Sequence, residues 1–182
     1  MKNEFRELFD VMTFYEPINN VIETDKPIQQ SIISMFSFFL IFFLISVILE
    51  TISNFELNVL NIINKGTQFF LILVLFLVHV PLATIVIFSI SRLFSKKGTL
   101  KKLLSANYFF ATAVSPFVLI FFVPFAEFAG QILLFVGLGI YFYFVNESIE
   151  KIFEFSPLKT LLFSFFYIGV FVSLAYGLFS IF

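Results

Sequence analysis

The sequence predicts an all-α fold, a polytopic integral membrane helical bundle with about five transmembrane helices. Three observations predict it. Of the 182 residues, 60% are hydrophobic and only 13% are charged, about half the charge that a soluble domain carries on its surface. Mean hydropathy is +1.04, and phenylalanine alone supplies 32 residues, large rings that lose nothing by facing acyl chains. Finally, the apolar residues fall into five windows free of Asp, Glu, Lys and Arg, each close to the roughly 20 residues that a helix needs to cross a hydrocarbon core.

The elements follow in order. Residues 1–30 form a polar, charged cytoplasmic segment, and residues 31–182 the five-span membrane domain. In the first segment Phe5, Leu8, Phe9, Met12 and Tyr15 recur with helical spacing, which predicts an amphipathic helix ended by Pro17. Its acids Glu4, Glu7 and Asp10 favour packing on protein over lying on lipid, because interfacial helices are basic. The polar start has no signal-peptide pattern, so the first apolar run is expected to stay as an anchor.

The windows are Ser31–Leu49, Phe69–Ile90, Leu103–Phe125, Phe128–Val145 and Thr160–Phe182. Between the first two, Asn54, Asn58, Asn61 and Lys65 make a polar stripe opposite Phe55, Val59, Ile62 and Ile63. This predicts a short helix lying on the outer membrane face. Only Ala126 and Glu127 separate the third and fourth windows, so these form either a tight hairpin turning at Pro124–Glu127 or one broken, re-entrant element. Ser156 and Pro157 suit the cap and first position of the last helix.

Basic residues set the orientation. Lys2, Arg6, Lys26, Arg92, Lys96, Lys97, Lys101, Lys102, Lys151 and Lys159 fall on one side of the five-span arrangement, and Lys65 alone on the other. The positive-inside rule then puts the N-terminus in the cytoplasm and the C-terminus outside.

Cysteine is absent, which excludes disulfides, thiolate metal sites, palmitoylation and a cysteine nucleophile together. A formal net charge of −1 gives no basis for nucleic-acid binding. His79, the sole histidine, lies mid-window two residues before Pro81. It is either a proton-relay or substrate group, or a neutral group helping to satisfy the break at Pro81, which frees the Leu77 carbonyl. Together with Tyr108 and Gln131 it makes a possible polar intramembrane site. No acid lies within any window to complete a metal or catalytic pair, so no enzyme, cofactor or metal centre is expected. Glu147, Glu150 and Glu154 share a helical face, with Lys151 four residues after Glu147, the spacing of a solvated ion-paired surface. The loop Lys96–Lys102 is a topology signal that also attracts anionic headgroups, and it lacks the glycine spacing of a phosphate loop.

Gly169, Ser173 and Gly177 recur every four residues, a small-residue stripe that lets another helix approach closely. Ala111 with Ser115, and Gly130 with Gly137, are weaker versions. Packing within one chain is the ordinary use of such stripes, and association between chains the alternative.

The stretch Ile87–Pro116, IFSISRLFSKKGTLKKLLSANYFFATAVSP, resembles the central signature of the Yip family, the Ypt/Rab-interacting membrane proteins. In that signature a span ends in a small basic loop with a glycine, and an amphipathic start, a tyrosine and a proline follow in the next span. Gly98, Thr99, Tyr108 and Pro116 occupy those places. The Asp-Leu-Tyr-Gly-Pro motif of the eukaryotic trafficking members is absent, so the resemblance is to the prokaryotic branch and carries no Rab binding with it. It implies a non-enzymatic multi-pass membrane protein, in the cytoplasmic membrane if prokaryotic. Such a protein acts as scaffold or accessory subunit, with the lipid bilayer and another membrane protein or a second copy as partners. The alternative is a small transporter or channel subunit for an ion or small solute, built around His79.

Overall fold

The computed structural model describes residues 28–54, 59–120, 123 and 127–179. The expected amphipathic helix at Phe5–Tyr15, together with Pro17, Pro27, Asn58 and the turn residues Pro124, Phe125 and Ala126, lies outside the described residues. Among those described, every regular element is an α-helix: α1 Ile28–Asn54, α2 Val59–Phe94, α3 Leu100–Ile120, α4 Glu127–Phe153 and α5 Pro157–Phe179. The first four are long and apolar enough to cross a membrane, and α5 is apolar through Pro157–Val170 and helical to Phe179. The third and fourth windows are thus two separate helices. At 21 residues, α3 is about 31 Å long, enough for a full crossing.

α3 sits at the centre. Every residue from Ser105 to Ser115 is buried, and the helix packs on α1, α2 and above all α4, while α5 packs on α2 and α4. The most buried spanning helix is also the least apolar, and α1, the most apolar, is the most exposed. Ile33, Phe36, Leu40, Ile41, Leu44 and Ile48 all face outward on α1. In water that arrangement would be costly, but in a bilayer the outer surface must match hydrocarbon and the interior can hold the polar groups. α5 repeats the pattern. Thr160, Ser164 and Tyr167 point inward, while Leu161, Leu162, Phe165 and Phe166 point out. The chain is a multi-pass helical membrane protein.

One element departs from the expectation. The outer-face helix expected over Asn54–Lys65 is not separate, because its residues from Val59 onward are the first turns of α2, which runs unbroken for 36 residues, about 54 Å. The polar stripe holds those turns against α1 instead of on the membrane surface. Lys65 Nζ pairs with Glu50 Oε2 at 3.1 Å and donates to Ser46 Oγ at 3.0 Å, and Asn61 Nδ2 donates to Glu50 Oε1 at 3.2 Å. Below this clamp, Phe43 meets Phe69 and Phe39 meets Phe76, both edge-on, so α1 and α2 form one antiparallel hairpin. Gly66, at the junction, is an insufficient break, since an interior glycine costs only about 1 kcal/mol. α4 likewise passes the end of its window and runs on through the polar turns to Phe153.

The loop after α2 is built against the end of α4. Gly98 has φ +83°, a conformation that only glycine adopts cheaply. A Cβ there would lie 2.7 Å from Ile152 Cγ2 and 2.9 Å from the Ile152 carbonyl oxygen. Ser95 Oγ donates to the Phe153 carbonyl at 2.9 Å, and Lys97 pairs with Glu154. The Thr99 side chain accepts from the Lys102 amide at 3.3 Å, capping α3. Glu154 itself is left-handed, φ 53°, and the Phe155 amide reaches back to the Glu150 carbonyl at 3.2 Å, a Schellman-type helix end. Glu147 pairs with Lys151 at 3.0 Å, as the four-residue spacing predicts.

Candidate functional site

Two prolines interrupt the central helices without breaking them. Pro81 lies inside α2 and Pro116 inside α3. Each lacks the N–H that would bond the carbonyl four residues back, a defect worth about 3 kcal/mol in an isolated helix. Those carbonyls belong to Leu77 and Thr112, and both are met by a hydroxyl from α3. Tyr108 OH donates to the Leu77 carbonyl at 3.0 Å, and Ser115 Oγ donates to the Thr112 carbonyl at 2.8 Å. In a dry interior an unmet carbonyl has no water to turn to, so these two hydroxyls satisfy the carbonyls that the prolines leave open.

A second polar layer lies beside the first. Asn107 Nδ2 donates to Thr84 Oγ1 at 2.9 Å, and Thr84 Oγ1 donates to the Val80 carbonyl at 2.6 Å. Tyr141 OH and Tyr167 OH are 2.8 Å apart. The Asn107–Thr84 bond thus joins α3 to α2, and the tyrosine pair joins α4 to α5. Thr112 Oγ1 adds α1, through the Ser31 carbonyl at 3.0 Å. Thr84, Asn107, Thr112 and Tyr167 are fully buried. Nearer the loop end, Ser164 Oγ donates to Asn146 Oδ1 at 3.1 Å. Such bonds contribute about 0.6 kcal/mol each on average inside membranes. Each fixes the rotation of the two helices it joins, which uniform apolar packing would not do.

Of the residues singled out from sequence, His79 is fully buried on the same turn of α2 as the capped Leu77 carbonyl, and Tyr108 reaches that turn directly. Gln131 is not part of this site, because it lies exposed on α4. Gly130 and Gly137 are buried on α4, whereas Gln131 and Gly139 lie on its exposed surface. Thr84 with Asn107, and Tyr141 with Tyr167, are the buried polar pairs beside this site.

The small-residue stripes divide in the same way. Gly137 is buried, and a Cβ on it would fall 2.8 Å from Phe117 Cβ and 3.2 Å from Val114 Cγ1. Ala111 and Ser115 are buried in the same helix pair. The close internal contact is therefore between α3 and α4. On α5, Gly169 and Ser173 are exposed, and nothing lies within 4 Å of a Cβ built on Gly169. Internal packing, the ordinary use of such a stripe, is not what these two residues do. The side chains around Gly177 lie outside the described ones.

This geometry defines a class, a multi-pass membrane bundle locked by buried hydroxyl and amide bonds. Comparison with protein-family models, with curated proteins and with solved structures finds no match for the chain. Among the described residues no group of three or more His, Cys, Asp or Glu comes together as a metal site would require.

Proposed function

We propose that the chain is a non-enzymatic membrane scaffold or accessory subunit of the Yip-like kind, which associates through α5 with another membrane helix or with a second copy of itself. The observation that carries this reading is the outward turn of Gly169 and Ser173, with open space over Gly169. A shallow face without bulky side chains gains dispersion contacts from a shaped helix that lipid tails supply less well. The four residues that carry the family resemblance fit a structural role. Gly98 and Thr99 shape the loop, Tyr108 caps the Leu77 carbonyl, and Pro116 sets the break that Ser115 repairs.

The test is the mass of the purified chain in mild detergent, with its melting temperature, for wild type and Gly169→Leu. The reading expects an assembly larger than one chain, or a stable complex with a second membrane protein, that Gly169→Leu dissociates without lowering the melting temperature. A wild-type monomer without a bound protein, unchanged by the substitution, contradicts it. The second reading, a small transporter or channel subunit, draws on the fully buried His79 beside a proline break. It requires a water-accessible interior.

A further inference from the structure

We propose that the loop end of α2 and α5 carries a binding site for an anionic phospholipid, with Lys159 taking the headgroup phosphate and a groove beneath it taking one acyl chain. An open apolar groove of about 200 Å³ lies between these helices, lined by Ile90, Leu162, Phe163 and Phe166. Leu162 and Phe166 beside it face outward from the bundle, which puts the groove in contact with lipid. Three of the four lining residues stand on α5 at three, four and seven places after Lys159, so the lysine and the groove share one helical face.

The lysine is held at the head of that groove by its neighbours. Lys159 Nζ stands 6.0 Å over the Phe155 ring, Phe155 packs on Phe163 with ring centroids 5.0 Å apart, and Phe94 closes edge-on against Phe163 at 5.6 Å. The aromatic floor leaves the ammonium exposed and oriented, with its stem along apolar surface, as a lysine at a membrane boundary snorkels. Glu154 is engaged by Lys97, and no ion pair of Lys159 is found among the described residues, which leaves its charge to an external anion. A cation directly above an apolar slot, at the point where a helix enters the apolar layer, matches the two chemistries of an anionic lipid at their natural spacing. A zwitterionic lipid brings a choline or ethanolamine cation to the same place and loses the match.

Native mass spectrometry of the full chain in detergent tests this, with phosphatidylglycerol and phosphatidylcholine of equal chain length titrated in separate runs. The expected wild-type result is retention of phosphatidylglycerol about fivefold above phosphatidylcholine, the worth of one lysine near a negatively charged surface. Lys159→Gln should bring the ratio near one, Lys159→Arg should keep it, and Lys102→Gln, at another exposed lysine, should leave it intact. Ile90→Trp, which fills the groove from the α2 side, should lower retention of both lipids. Equal wild-type retention of the two lipids overturns the proposal, as does a preference that survives Lys159→Gln. Equal competition by glycerol phosphate without acyl chains also overturns it, since the groove would then contribute nothing.

Discussion

The bond from Tyr108 to the Leu77 carbonyl can be isolated by a double-mutant cycle with Pro81. Tyr108 is 7% exposed, and its hydroxyl lies 3.0 Å from a carbonyl that has no helical N–H partner because residue 81 is proline. Tyr108→Phe keeps the ring and removes the donor. The carbonyl is then left unmet in a dry interior, at a cost of about 1–2 kcal/mol. In a Pro81→Ala background the helix supplies its own N–H to Leu77. The same Tyr108→Phe change should then cost only about 0.6 kcal/mol, the average of an ordinary bond between helices in a membrane. The difference, about 1 kcal/mol, is the coupling energy of the pair. Reversible unfolding in mixed micelles, followed by circular dichroism, measures all four proteins. An equal cost for Tyr108→Phe in both backgrounds would refute the reasoning, because the hydroxyl would then not be serving the proline defect.

Two glycine substitutions probe the packing elsewhere. Gly137→Ala places a methyl 2.8 Å from Phe117 Cβ, a backbone-attached atom with little freedom, and should destabilise the α3–α4 pair by about 1–3 kcal/mol in the same unfolding assay. Gly98→Ala combines a left-handed φ of +83° with overlap on Ile152 and should cost at least about 2 kcal/mol. Limited proteolysis of the Gly98→Ala protein should cut the 95–99 loop faster than in wild type.

Much of the helical framework is legible in the sequence because a bilayer imposes a length and forbids charge. The break at Pro81 is equally legible, since a proline at that position orphans the Leu77 carbonyl wherever the helix packs. The continuous α2 is not, because the Asn54–Lys65 stripe looks like a surface-lying helix until Glu50 and Ser46 are known to face Lys65. The polar layer is also hidden. Thr84, Tyr141 and Tyr167 are tolerated in any apolar window, and whether each meets its partner depends on how the helices are rotated about their axes. Asn107 is the available signal, being the sole asparagine within the five windows. Rotation likewise decides the small-residue stripes. Spacing alone marks Gly169 and Gly137 alike, yet the first faces out and the second is packed under Phe117.

The proposed function requires the buried polar residues to be dry joints between helices that line no path for solutes. The absence of native cysteine allows a direct measurement. Thr84, fully buried and bonded to Val80 and Asn107, and Lys96, exposed in the loop, are each replaced singly by cysteine. Sealed vesicles are then treated with a membrane-impermeant thiosulfonate from each side. Thr84→Cys should stay unlabelled from both sides over a time that saturates Lys96→Cys from one side. Labelling of Thr84→Cys at a rate comparable to Lys96→Cys would mean that water reaches Thr84, which contradicts a dry interior and favours the transporter reading.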